Sequence, residues 1–393
     1  MPRIKIKRII INLVLLFITI ILFIALLEIF LRIFYPQPLN PTFIPTNERD
    51  NFAEYDDLLG WKLKPNYEGV FFSSEYSTSI KNNAQGMRMS NDIEIEKAKK
   101  RIAFLGDSYV WGHGLNEEQR MSNILQDKLN DFEVLNFGVS GYSTDHYYLL
   151  LNKTILDYNS DLVIIGFYAN DLEDTGNSKM QDYPKPLFKI ENNSLRLTNV
   201  PVPKIESLSE RIYSSLKKLD LFFSYKSHVY ILFKPLLFKI YDLGKNDVYK
   251  KYKITTYEIP ITKKVYSEEY QSYEELNDKI YCEISNSLKQ KNIPLFVVNI
   301  PARVHIFPED FNAILKELNL NKKDYDINKV SLMLRELSEK CDFHFIDLQE
   351  SFKDYEDKDK LYYKYDVHLT PLGNEYAAEI ILKKLENEKL INS

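Results

Sequence analysis

The chain has 393 residues, 45% hydrophobic and 27% charged, with 12 glycines and 16 prolines, a globular composition that excludes collagen-like, low-complexity and disordered classes. That length is enough for two or three units and a large core. The formal net charge is −5, and since Arg3, Lys5, Lys7, Arg8 and Arg32 lie near the N-terminus with one acid, Glu28, the remainder stands at −9, an acidic body without a basic stripe that excludes a nucleic-acid partner.

The first expected element is a membrane helix. Ile9 to Leu27 is interrupted only by Asn12 and Thr19, and such a helix extends ~29 Å, about one hydrocarbon core. A cleavable signal peptide would carry a shorter apolar region ending in small residues. Here Ala25-Leu-Leu-Glu-Ile-Phe-Leu-Arg-Ile follows, so residues 1–35 are read as a cytoplasmic basic start and an uncleaved anchor. Four bases precede the span and only Arg32 follows closely, which puts the N-terminus in the cytoplasm and the rest outside. Residues 36–54 open with Pro36-Gln-Pro-Leu-Asn-Pro-Thr-Phe-Ile-Pro45 and read as an extended stalk.

Alternation in Gly69 to Ile80, bounded by Asn82-Asn83 and Gly86, marks 55–100 as a small β-rich lead-in. Beyond it the texture changes. Five short apolar runs, Arg101–Gly106, Phe132–Phe137, Leu162–Phe167, Ile293–Ile300 and Phe343–Leu348, alternate with helical stretches near 118–130, 144–158, 268–291, 325–341 and 371–389. Unbroken apolar strands between helices indicate an α/β fold with a five-stranded parallel sheet covered on both faces, over 101–171 and 268–393. Residues 172–267 interrupt the alternation as an inserted cap, where specificity is expected to lie. Within it Leu219 to Leu243 is apolar, but Lys226, Lys234, Pro235 and Lys239 break it. Packing inside the cap is expected there, with a helix on the membrane surface as the alternative.

In an open parallel sheet, chemistry collects at the carboxyl ends of the strands. Three segments lie there: Leu105-Gly-Asp-Ser-Tyr109, Asn136-Phe-Gly-Val-Ser-Gly141 and Gly166-Phe-Tyr-Ala-Asn-Asp171. A fourth, Tyr365-Asp-Val-His-Leu-Thr-Pro-Leu-Gly373, opens the last helix. A serine hydroxyl needs a neighbouring base, and Ser108 with His368 supplies the pair. Asp366 is available to fix the imidazole tautomer. The N–H groups of Ser108 and Gly141 and the side chain of Asn170 can form an oxyanion hole. Ser140 fails as an alternative nucleophile, because the α/β-hydrolase elbow needs glycine where Tyr142 stands.

These blocks resemble those of the SGNH (GDSL-type) hydrolases. Gly106-Asp107-Ser108 is similar to the first block, Gly141 to the second-block glycine, Asn170 to the third-block asparagine, and Asp366 with His368 to the fifth block. Leu59-Gly-Trp-Lys-Leu-Lys-Pro65 and Asn83-Ala-Gln-Gly-Met-Arg88 resemble segments upstream of Gly-Asp-Ser in membrane-anchored members. Many members place Asp three residues before His; here the spacing is two and position 365 is Tyr. The shorter spacing resembles that of alginate O-acetyltransferase-like branches. The resemblance implies a flavodoxin-like three-layer sandwich and hydrolysis or transfer of ester-linked acyl groups.

The remaining reactive side chains have plainer readings. Cys282 and Cys341 exclude a Cys₄ or Cys₂His₂ zinc site; two buried thiols are expected, with a bridge as the alternative. None of the six histidines forms an HExxH or His-x-His pair. His344 reads as packed in a strand, His228 as part of the cap, and His113 as a residue that could line the cleft. The expectation is a membrane-anchored extracytoplasmic serine esterase, needing no metal or cofactor, acting on an O-acetylated surface glycan or a lipid-linked ester. Its rivals are an O-acyltransferase using the same triad, a non-catalytic envelope binding protein and a soluble cytoplasmic enzyme.

Overall fold

The computed structural model describes residues 2–37, 52–73, 75–181, 183–204, 219, 222–223, 226–233, 251–252 and 254–391. Most of the expected stalk and the middle of the inserted region lie outside these residues. The chain forms two compact units, 1–46 with 206–246 and 47–205 with 247–393. The insertion is therefore divided: 172–205 and 247–267 belong with the sheet, and 206–246 belongs with the anchor.

In the first unit, helix α1 (Pro2–Phe34) contains Ile11–Phe34, with mean hydropathy 3.1. It is long and apolar enough to cross a membrane. Its one acid is satisfied: Glu28 accepts from Ser227 Oγ and from the N–H groups of His228 and Val229 at 2.9–3.0 Å, at the start of the helical residues 228–233, and from Arg32 Nε at 2.9 Å. His228 Nδ1 accepts from Gln37 N–H at 2.8 Å.

The second unit begins with two antiparallel hairpins. One pairs β1 (Ala53–Asp56) with β2 (Gly60–Leu63), the other β3 (Glu68–Phe72) with β4 (Ser77–Lys81). The five apolar runs then become strands β5 (Lys100–Leu105), β6 (Phe132–Asn136), β7 (Leu162–Phe167), β8 (Leu295–Asn299) and β9 (His344–Asp347). They form one parallel sheet in the order β9-β8-β7-β5-β6, which is the flavodoxin-like order. β7 and β8 are buried along their whole length, as strands covered on both faces must be. His344 departs from the expected packing: on the edge strand it stacks on Phe296 at 4.4 Å, with its side chain 40% exposed.

Helices α2 (Ser108–Trp111), α3 (Met121–Lys128), α4 (Thr144–Lys153), α5 (Asn170–Gly176), α6 (Glu268–Lys289), α7 (Lys329–Cys341) and α8 (Pro371–Asn387) complete the layers. α3 packs on α8, and α6 packs on α4, α5 and α7, giving a three-layer sandwich. The buried stripe of α6, Leu276, Ile280, Tyr281, Ile284 and Leu288, has the helical period.

The expectation of two separate thiols is corrected here. α6 and α7 lie side by side, with Cys282 and Cys341 at facing positions 4.7 Å apart between Cα atoms, and the two are joined in a disulfide.

Candidate active site

Ser108 stands where strand β5 gives way to α2. Gly106 and Gly166 leave room for the Val110 side chain, which a Cβ at either position would meet within 2.8 Å. Asp107 caps α2 by accepting from Tyr109 N–H at 2.9 Å. Burial pushes the Asp107 carboxyl up to about 7, against the pull of that hydrogen bond.

The loops flanking Ser108 follow from the strand order, since β5 lies between β6 and β7. After β6, the side chain of Asn136 donates to Val110 C=O at 2.7 Å and accepts from Gly138 N–H at 2.9 Å. A Cβ on Gly138 would lie 2.3 Å from Trp111 N, so only glycine lets the loop approach α2 this closely. Gly141 follows with φ +79°, in the left-handed region. Asn170 begins α5 beyond β7, and its Nδ2 donates to Asp174 Oδ2 at 2.8 Å.

The fourth segment joins this end of the sheet through α8. Thr370 caps α8 by accepting from Gly373 N–H at 3.2 Å, with Pro371 at the first helical position. Just ahead of the cap, the His368 Nε2 lies 2.8 Å from Ser108 Oγ and its Nδ1 lies 2.5 Å from Asp366 Oδ1. Asp366 Oδ1 also accepts from His368 N–H at 2.9 Å, a short loop made possible by the two-residue spacing. Burial would raise the Asp366 carboxyl, but the His368 and His113 rings beside it outweigh that and hold it well below the carboxylate range. Ser108, His368 and Asp366 thus form one continuous hydrogen-bonded chain. Gly141 and Asn170 sit on the adjoining loops.

Four further residues hold this constellation, and three of them come from the lead-in. Arg88 is buried, with its guanidinium 4.4 Å over the Trp111 ring, and it donates to Trp111 C=O at 2.9 Å and to Gly112 and Leu115 C=O at 2.5 Å. Glu75, in the β3–β4 turn, accepts from the N–H groups of Lys364, Tyr365 and Asp366 at 2.5, 2.8 and 2.9 Å. Tyr76 donates to Asp366 Oδ2 at 3.0 Å and lies 2.8 Å from His113 Nε2. The fourth is His113, whose ring stacks on His368 with centroids 4.0 Å apart. Arg88 stands in a segment and His113 at a position singled out above; Glu75 and Tyr76 lie in the Gly69–Ile80 run, which reads only as β structure.

His113, Asp366 and His368 also bring three metal-capable donor atoms within 4.8 Å of one another. Imidazole lone pairs lie in the ring plane, and the two rings are stacked only 19° from parallel. A shared ion at ~2.0–2.1 Å from both nitrogens would sit outside at least one plane. The cluster suits a hydrogen-bond network better than a metal.

Residues 263–393 match the family model described as "SGNH hydrolase-like domain, acetyltransferase AlgX", bearing out the family resemblance read from the sequence blocks. No curated protein matches the chain. Solved structures similar to it include an acetyl xylan esterase, AlAXEase, at 15% identity and TM-score 0.38, covering 72% of this chain and 99% of that one. A lipase/acylhydrolase from Enterococcus faecalis is similar at 16% identity and TM-score 0.37, covering 74% and 96%. TesA is similar at 10% identity and TM-score 0.39, covering 73% and 99%. Likenesses this distant have no bearing on activity.

Proposed function

We propose that the protein is a membrane-anchored serine esterase that takes the acyl group of an ester onto Ser108. The observation that carries this reading is the unbroken chain from Ser108 Oγ through His368 to Asp366, at 2.8 and 2.5 Å. Ser108 Oγ attacks the ester carbonyl while its proton passes to His368 Nε2, and Asp366 stabilises the resulting imidazolium. The oxyanion is received by the N–H groups of Ser108 and Gly141 and by the second hydrogen of Asn170 Nδ2, the first being held by Asp174. Collapse returns the proton to the leaving alcohol and leaves acyl-Ser108. Water then attacks, gives its proton to His368, and releases the acid as Ser108 is restored.

The catalytic unit lies on the outer side of the membrane in this reading. The bases Arg3, Lys5, Lys7 and Arg8, ahead of the apolar span of α1, support that orientation, and the Cys282–Cys341 bridge suits an oxidising compartment. An O-acylated surface glycan or a lipid-linked ester is the substrate class. A second reading, transfer of the acyl group from Ser108 to a sugar hydroxyl, is favoured by the acetyltransferase description of the matched family over 263–393, the stretch containing Asp366 and His368.

The test is fluorophosphonate labelling of the full chain in detergent, followed by turnover of a chromogenic acetyl ester with and without polysaccharide acceptors. Labelling at Ser108 with free acetate as product supports hydrolysis. Acetylated polysaccharide exceeding free acetate replaces it with transfer. No labelling of wild-type protein refutes both.

A further inference from the structure

The Asp366 carboxylate has two oxygens, and only one faces His368. Oδ1 meets His368 Nδ1 and N–H. Oδ2 receives the Tyr76 hydroxyl at 3.0 Å and lies 3.4 Å from His113 Nε2. With Tyr76 O–H donating to Asp366, the 2.8 Å contact between Tyr76 and His113 requires that Nε2–H of His113 donate to the tyrosine oxygen. Phe71 meets the His113 ring edge-on at 5.0 Å, and Trp111 lies 6.1 Å away. Tyr76 thus meets the carboxylate at Oδ2, while His113 lies beside it, stacked on His368 and packed by both aromatics.

We infer that Tyr76 and His113 are positioning residues that hold the second oxygen of Asp366 and temper its charge, so that the strength of His368 as a base is set from the lead-in hairpin. The inference deepens the function proposed above and rests on it. A carboxylate that accepts a further donor, here the Tyr76 hydroxyl polarised by His113 Nε2–H, holds a neighbouring imidazolium less strongly than one that accepts none. Removing the tyrosine hydroxyl leaves Oδ2 short of a donor and concentrates the charge of Asp366 on His368. The His368 ring then takes up its proton at higher pH, and the acid limb of activity moves the same way. Other charged or titratable groups around this pair are Asp107 at the cap of α2, Arg88 against Gly112, Tyr109 beside His368, Tyr363, and Glu75 on the loop amides. Only Glu75 among them is altered by the substitutions below, as the contrast.

Glu75 provides the contrast. It binds three backbone N–H groups of the same loop without touching the Asp366 carboxylate. Its loss loosens the loop and leaves the charge on Oδ2 shared as before.

The experiment titrates histidine ring signals by NMR in the full chain in detergent, for wild type, Tyr76→Phe, His113→Phe, His113→Gln and Glu75→Ala, alongside the pH dependence of Ser108 labelling. Tyr76→Phe and His113→Phe are expected to move the His368 titration, and the acid limb of labelling, upward by about 0.5–1 pH unit, a shift typical of one lost hydrogen bond. His113→Gln, which keeps a side-chain N–H donor, is expected to restore most of the wild-type position. Glu75→Ala is expected to slow labelling several-fold with the limb unmoved. Unchanged His368 titration in Tyr76→Phe overturns the inference. Because the ring signals are read without turnover, a shifted titration in a protein that never labels rejects the proposed function and leaves the positioning role standing.

Discussion

The indole Nε1 of Trp61 donates to the carbonyl of Ser140 at 3.2 Å, across 79 residues of sequence. The Tyr142 hydroxyl returns a 2.5 Å bond to Trp61 C=O. The peptide that precedes Gly141 and the residue that follows it are thereby held by strand β2, which belongs to the lead-in and not to the central sheet. An oxyanion donor is useful only if it is fixed before charge develops. Trp61 supplies that fixation for one loop, as Arg88 does for α2 and Glu75 for the His368 loop.

Replacement of the proposed nucleophile is expected to give the largest effect. Ser108→Ala is expected to abolish fluorophosphonate labelling and to lower kcat by about 10⁴–10⁶-fold, with the thermal midpoint unchanged within a few degrees. His368→Ala should reach a similar residual rate, since members of a triad act as a unit. A Ser108→Ala protein that keeps more than a tenth of wild-type turnover places the nucleophile elsewhere.

Asn170→Ala removes a side-chain donor next to the strand end. The expected loss is about 10²–10³-fold in kcat with little change in KM, because the donor acts on the developing oxyanion. A change confined to KM would show that Asn170 binds substrate and does not stabilise the transition state.

Stability should decline from mildly acidic to neutral pH. Burial pushes Asp174 up to about 7, as it does Asp107, and raises Asp171 in the same sense. Between the unfolded carboxylate value near ~4 and these folded values the native state binds more protons than the unfolded one, so unfolding free energy falls as pH rises. Asp145 works oppositely. Burial would raise it, but Lys185 and His146 hold it down to about 2, so its contribution is complete above ~4 and lost as pH falls toward 2. Thermal midpoints measured from pH 3 to 8 should peak at mildly acidic pH, and Asp174→Asn should flatten the decline on the neutral side. A midpoint that climbs steadily to pH 8 contradicts the assignment.

The bridge between α6 and α7 closes a separation of 59 residues. Cys282→Ser with Cys341→Ser is expected to cost about 2–5 kcal/mol in denaturant unfolding while leaving Ser108 labelling intact in the folded protein. Free thiols detected in unreduced wild-type protein would show that the bridge does not form.

The parallel sheet was legible because strands buried on both faces appear as unbroken apolar runs, and β5 to β9 all fall within the five runs read from sequence or one residue of them. Ser108, Asp366 and His368 were legible because each stands where a strand or loop meets a helix, and their blocks resemble a known pattern. The lead-in contacts were not. Glu75 binds backbone groups 289 to 291 residues away, and neither it nor Tyr76 carries a periodicity that would announce the pairing. Cys282 and Cys341 were left open because amphipathic stripes show which side of a helix is buried, not which neighbour it faces. His344 shows a related limit, since alternation marked it as inward while its place on the edge strand depends on sheet order.

The dependence on β2 and the β3–β4 turn has a practical side. A truncated protein starting at Lys100 would contain every block by which the catalytic body is recognised, and it would look intact in an alignment. It would nevertheless lack Trp61, Glu75, Tyr76 and Arg88, leaving three loops without their supports. The smallest portable piece of this protein begins about fifty residues upstream of its Gly-Asp-Ser block, and swaps between relatives should be cut there.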